Sequence, residues 1–248
     1  MTSLSIGLGL TSTTVYNPAN TGGAPAWSPA ELFATGAEGT WIDPANSATL
    51  FQDVAGTQPV TAAGQSVARI EDLSGNGNHM IEPTAGLRPT LETDGTRSWL
   101  ETTTAQRLRL PAMTYANSGT NFCLGTRRIS VYLYSWRART NTGYYAGLSH
   151  PSAAGTVSNL GGSMRVDGNI AATSRETLYA QVGDGDRVLT ALDCATVALS
   201  GQETFLMSYG LTGPVAARLY AYVEISQAAP LDALARDALE AWTAAKMA

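Results

Sequence analysis

Hydrophobic and polar side chains alternate with a period of two along much of this chain, and that pattern predicts strands. Between Ala217 and Ile225, the residues Ala217, Leu219, Ala221, Val223 and Ile225 share one face, opposite Arg218, Tyr220, Tyr222 and Glu224. A strand with one face in the core is expected there. Between Ile129 and Trp136, the side chains of Ile129, Val131 and Leu133 alternate with Tyr132, Tyr134 and Trp136. Bulk on both faces predicts a central strand, or one whose aromatic face lines a groove. Shorter runs predict further strands at 67–73, 99–101, 107–110, 144–148, 164–166, 178–182, 187–192, 195–199 and 204–209. Turn signals separate them: Asp94-Gly95, Asp167-Gly168-Asn169, Gly183-Asp184-Gly185-Asp186 and Ser200-Gly201. Many short strands at roughly ten-residue spacing point to a β-sandwich or jelly roll rather than to alternating βαβ units.

The period changes only near the end of the chain. Leu231, Leu234, Ala235, Ala238, Leu239 and Trp242 recur at three- and four-residue spacing behind Pro230, which predicts a helix docking this stripe on the sheet. Asp232 and Lys246 complement its dipole, and Asp232 with Arg236 and Arg236 with Glu240 are i,i+4 pairs. The opening is different again. Ser3 to Leu10 places Leu4, Ile6, Leu8 and Leu10 between serines and glycines, and a Thr, Asn, Pro and Gly-rich stretch follows through Pro29. Few of these side chains can build a private core, so residues 1–40 are expected to be an arm that attaches to another subunit, and residues 41–248 a β-rich domain. The competing reading packs the arm on its own domain.

Composition narrows the function classes. The chain has 248 residues, 44% hydrophobic and 14% charged, with a net charge of −5; that suffices for one sizeable core but is unlike helical bundles or acidic tails. Fourteen of the fifteen cations are Arg and they are scattered, leaving no stripe for nucleic-acid phosphates. Apolar runs fall short of the ~18 residues of a membrane span, and no secretory signal opens the chain, so a protein made in the cytoplasm and staying soluble is expected. Cys123 and Cys194 each sit in an apolar stretch read as strand, which predicts two buried thiols, with a disulfide between them as the alternative.

The densest motif is Arg69 to Met80, where a strand runs into a loop rich in Gly and Asn. A tight hydrogen-bonded turn is expected. Asp72, Ser74 and Asn76 before Gly77 also match the start of a calcium loop, although the twelfth position is Pro83 in place of the bidentate Glu. Calcium on these three residues is therefore the alternative to a purely structural turn, and no other cofactor is expected.

The runs Trp41 to Asp53, Gly56 to Val60, Asp72 to His79 and Arg88 to Leu91 resemble the opening of concanavalin A-like, laminin G-like jelly-roll domains. More closely, they resemble a group of such domains in tailed phages and prophages of alphaproteobacteria. The strand and helix from Tyr220 to Ala245 are similar to the way those domains end, and Ser3 to Leu10 resembles arms that precede them. The middle of the chain is similar by strand pattern alone. The resemblance implies two curved antiparallel sheets, display on virions or cell surfaces, and frequent binding of carbohydrate or host surface.

Catalysis is not expected. Glycosidases of the concanavalin A-like class need Glu-x-Asp-x-x-Glu on one strand, and the nearest run here, Glu92-Thr93-Asp94, continues into Gly95, Thr96 and Arg97. With only His79 and His150, no H-E-x-x-H helix exists, and the G-x-S-x-G and phosphate-loop motifs are absent. Tyr132, Tyr134 and Trp136, together with Tyr220 and Tyr222, offer a sugar-stacking platform; cross-strand packing or subunit contact competes with that reading. The expectation is a virion structural protein whose Leu4, Ile6, Leu8 and Leu10 insert into a neighbouring capsid or tail subunit, each contributing ~1.5–3 kcal/mol before association costs. Other virion proteins are its partners, with copies of itself in the assembly, and host-surface polysaccharide is a further candidate; nucleic acid and membrane are not expected. A carbohydrate-binding adhesion module and a glycoside hydrolase of the same fold are the rivals.

Overall fold

The computed structural model describes residues 27–103, 105–113, 115, 119–129, 137–139, 145–146, 151, 155, 162–195, 202–206, 215–227 and 230–248. Among the described residues it is mostly β, with 40% strand and 18% helix, antiparallel sheets and a C-terminal helix. After a short helix α1 (Ala30–Phe33) come β1 (Glu38–Ile42) and a three-stranded sheet of β2 (Leu50–Phe51), β3 (Arg69–Ile70) and β4 (Met80–Ile81). Next are β5 (Thr90–Thr93), β6 (Ser98–Thr102), β7 (Leu108–Met113), β8 (Gly119–Arg128), β9 (Arg137–Arg139) and β10 (Tyr145–Ala146). Then follow β11 (Ser163–Val166), β12 (Asn169–Ile170), α2 (Arg175–Val182), β13 (Asp186–Ala195) and β14 (Gln202–Leu206). The chain closes with β15 (Ala217–Gln227) and α3 (Ala233–Ala245).

The large sheet runs β12-β11-β13-β8-β15-β6-β5, and β1 adds to β15 beside β6. Both fit one edge because they use different lengths of it: β6 pairs with Ala217–Leu219, whereas β1 pairs with residues 222–226. The four-stranded sheet runs β10-β9-β14-β7. One core joins the inner face of the large sheet to the smaller sheets and α2, through Leu100, Phe122, Leu124, Leu189 and Tyr222 on one side and Leu50, Ile70, Leu110, Leu178 and Leu206 on the other. A second core lies on the outer face, where Cys123, Val223 and Ile225 meet Phe33, Leu231 and Leu239 of the helical segments.

The strand at Ala217–Ile225 therefore differs from the expected half-exposed one. It is central and covered on both faces, and every residue from Leu219 to Ser226 is buried. A bulge between Leu219 and Ala221 also breaks the alternation, so that Tyr220 stacks on Trp99 on the outer face while Tyr222 lies against Phe122 on the inner one. Both tyrosine side chains are fully buried, so neither is part of an exposed sugar platform. The strand β8, read from the sequence only as an apolar strand-like stretch around Cys123, lies between β13 and β15. Its Gly125 lets α3 approach: a Cβ there would stand 3.1 Å from the Thr243 methyl and 3.3 Å from the Met247 sulfur.

The predicted strand at 178–182 is the second half of helix α2. Ser174 caps it by accepting from the Thr177 amide, and Leu178 and Val182, four residues apart, are the buried pair. Alternation over five residues cannot distinguish i,i+2 from i,i+4 burial, and the cap decided it. Helix α3 forms where expected, capped by Asp232. Its stripe is rotated, however: Leu239 and Thr243 are buried on the helix and Leu231 just before its cap, while Leu234 is 65% exposed. The expected pairs on α3 also rearrange, since Glu240 reaches Arg165 of β11 and Arg236 bonds to Asp237. The boundary expected between residues 40 and 41 falls inside β1, and Trp27, Leu32 and Phe33 already pack into the outer core.

Cys123 is free and buried, its sulfur in contact with the hydroxyls of Thr243 and Thr190, and burial pushes its thiol up to about 12. In the ladder Cys123 lies opposite Thr190 and Cys194 opposite Thr120.

Candidate functional site

Rows of side chains across the inner face of the large sheet change character along the strands. The row Ile42, Tyr222 and Leu124 is apolar; the next is Thr40, Glu224 and Phe122; the last is Glu38, Ser226 and Thr120. The apolar core thus gives way to polar groups toward the Glu38 end of β1. Buried carboxylates need partners, and Glu224, completely buried, has one in each direction. Tyr115, just beyond β7, donates its hydroxyl to Oε1, and Tyr222 donates to Oε2. The Tyr115 oxygen also lies 3.3 Å from the Met113 sulfur. Glu38, Gly39, Asn76, Asn78, Met113 and Tyr115 enclose a cleft of about 210 Å³ over this cluster.

One wall of the cleft is the Asp72–His79 loop, and its geometry follows from one carboxylate. Asp72 Oδ1 accepts from the amides of Trp41 (2.8 Å) and Ser74 (2.9 Å), and Oδ2 from the Ser74 hydroxyl (2.7 Å) and the Asn78 amide (2.9 Å). Gly75 and Gly77, at φ +88° and +72°, let the chain turn around it. The loop then grips β1. Asn78 Nδ2 donates to the Gly39 carbonyl at 2.7 Å, Asn76 Nδ2 to the carbonyls of Ala37 and Gly39, and Thr40 Oγ1 to the Asn78 carbonyl. Of the three residues read as calcium ligands, Asp72 and Ser74 are thus turned into the loop's own hydrogen bonds, and Asn76 is at the cleft. Among the described residues, no group of three or more His, Cys, Asp or Glu side chains gathers as a metal site.

His79 completes the loop by accepting from the Asp72 amide at Nδ1, 3.1 Å away, which requires that nitrogen to be unprotonated. Desolvation, then the charge of Arg69, holds the imidazole below its ordinary 6.5. The unfolded chain therefore takes up the proton first, and stability present above pH 6.5 is lost as pH falls below it. Thermal melts between pH 7.5 and 5.5 should show the midpoint falling, and H79N should flatten that part of the slope; an unchanged slope removes His79 from the account.

The other sequence-derived candidates lie outside the described residues: Leu4, Ile6, Leu8 and Leu10, and Tyr132, Tyr134 and Trp136. Tyr115, Glu224 and Glu38 were not legible as a site, because they come from separate segments of the chain and share no motif. The only sequence signal was the Gly and Asn-rich loop that forms their wall. Compared with family models, curated proteins and solved structures, the chain matches none. No helix among the described residues is long and apolar enough to cross a membrane.

Proposed function

We propose that this chain is a structural protein of a phage or phage-like particle, held there by the segment before Trp27 and displaying a jelly-roll domain whose polar cleft takes host-surface saccharide. The cleft over Tyr115 and Glu224 is the observation that carries the binding part of this reading. Its lining is rich in acceptors. The Glu38 carboxylate and the side chains of Asn76 and Asn78 line it, and the amide nitrogens of the two asparagines are already engaged by backbone carbonyls. Among the described residues, no Lys or Arg lines it. Hydroxyl-rich neutral or amine-bearing sugars suit such a lining, and anionic ones do not. At about 210 Å³, below the ~300 Å³ at which drug-sized sites begin, it suits one residue or a chain end.

The particle setting is supported by the resemblance of Trp41 to Asp53, Asp72 to His79 and Arg88 to Leu91 to phage domains, and by the uncharged apolar opening of the chain. Glu224 is fully enclosed and bonded to two tyrosines, which favours binding over hydrolysis by a Glu38 and Glu224 pair. Quantitative mass spectrometry of gradient-purified particles from the encoding host should find the chain in fixed ratio to the capsid and tail proteins; its absence overturns the particle reading. On a glycan array, Y115F and E38Q should each weaken binding about tenfold, or ~1.4 kcal/mol. Binding lost only on changing Tyr132 and Tyr134 moves the site to that strand, and reducing sugar released by the wild type, but not by E224Q, replaces binding with hydrolysis.

A further inference from the structure

A second depression lies on the outer side of the molecule, between α1 and α3. Trp27, Leu32, Leu234, Ala235 and Ala238 form its apolar walls around about 450 Å³, and Glu31, Asp232 and Asp237 form its rim. Leu234 projects from α3 at 65% exposure although Leu239 and Thr243 of the same helix are buried. A free aliphatic side chain on the wall of an apolar groove is the kind of surface a second segment covers.

The described chain begins at Trp27, which is itself a wall of this groove. The twenty-six residues before it contain no Asp, Glu, Lys or Arg, so the acidic rim neither repels nor demands a charge. Their apolar side chains Leu4, Ile6, Leu8 and Leu10 stand at every second position, separated only by Ser5, Gly7 and Gly9. Extended, they form a single apolar edge with nothing bulky on the other side. The seventeen-residue step from Leu10 to Trp27 spans up to roughly 60 Å when extended. A tether of that length reaches a groove at its own root and presents the segment at an effective concentration of about millimolar, well above that of a second copy in dilute solution.

We propose that the groove between α1 and α3 holds this chain's own Ser3–Leu10 segment in the free protein. The apolar edge is thereby kept from water until a particle subunit offers a better groove. That release step rests on the attachment reading above; occupancy of the groove does not.

The test uses the full-length chain. L234C is combined in turn with L4C, I6C and L8C, oxidised, and followed by intact mass and non-reducing electrophoresis, with the single variants as baseline for Cys123 and Cys194. At least one pair should close into an intramolecular disulfide in most molecules, at a rate unchanged over a hundredfold range of protein concentration. No disulfide in any pair, or only a disulfide-linked dimer, overturns the proposal, the dimer assigning the groove to a neighbouring copy. As a second measurement, L234D, exposed enough to fold normally, should speed chymotryptic cleavage before Trp27 about tenfold while lowering Tm by no more than about 4 °C, the lost docking alone; unchanged cleavage counts against it. Both readouts come from free protein, so they fail or succeed independently of whether the chain is found in particles.

Discussion

Replacing Gly39 with alanine is expected to cost about 4 kcal/mol and lower Tm by roughly 12 °C. A Cβ at this position would stand 2.0 Å from the Glu224 carbonyl oxygen, 2.9 Å from its carbon and 3.0 Å from the Ile225 Cα, at a φ of +148°. All three are backbone atoms of the central strand β15, so relief requires parting β1 from it. The effect reaches the cleft, because the Gly39 carbonyl also receives Asn78, Asn76 and Ser74. Gly36 supplies the control. It has φ +80° but nothing within 4 Å, so G36A carries only the left-handed penalty of about 1 kcal/mol. Denaturant melts of the two variants separate clash from strain, and equal midpoints would mean that β1 is not seated as described.

Asp72→Ala is the second large effect, about 3 kcal/mol and roughly 8 °C in Tm. Its cause is not a lost charge pair. Three backbone amides, Trp41, Ser74 and Asn78, turn toward one carboxylate and keep their orientation when it is gone. Water reaches them only in part, since Asp72 is itself 9% exposed. D72N retains one acceptor oxygen but sets an NH2 against donors, and should recover about half the loss. Because Asn76 and Asn78 ride on this loop, D72A should also abolish glycan-array binding where Y115F merely weakens it. A D72A protein with wild-type Tm would show that the loop is held by the glycines and asparagines alone.

The legible parts of the fold are those in which local chemistry and tertiary environment ask for the same thing. Helix α3 combines an Asp232 cap with three- and four-residue spacing, and forms where its sequence predicts. The Asp72–His79 loop needs glycines for positive φ and short polar side chains for its turns, so its composition announces it. The strands β6, β7, β11, β13 and β15 were given bounds from the sequence, whereas β8 was read only as an apolar stretch around Cys123. Gly119, Asn121 and Gly125 interrupt its apolar residues, and those interruptions are where Asp193 and α3 approach.

By itself the sequence determined a mostly β chain with antiparallel hairpin chemistry, a closing helix and a tight Gly and Asn loop, because propensity, caps and turn geometry act over a few residues. Which faces are covered was decided only by the tertiary structure. Alternation marks two faces on β15 without saying that each has a core against it, so Tyr222 and Glu224 read as solvent-facing and are fully buried. The stripe on α3 likewise names candidates without fixing rotation, and packing on β8 buried Leu239 and Thr243 while leaving Leu234 in the groove. The cleft is the same case in its strongest form. Glu38, Asn78, Tyr115 and Glu224 come from four segments far apart in the chain, and no local pattern encodes a meeting that sheet register and core packing alone bring about.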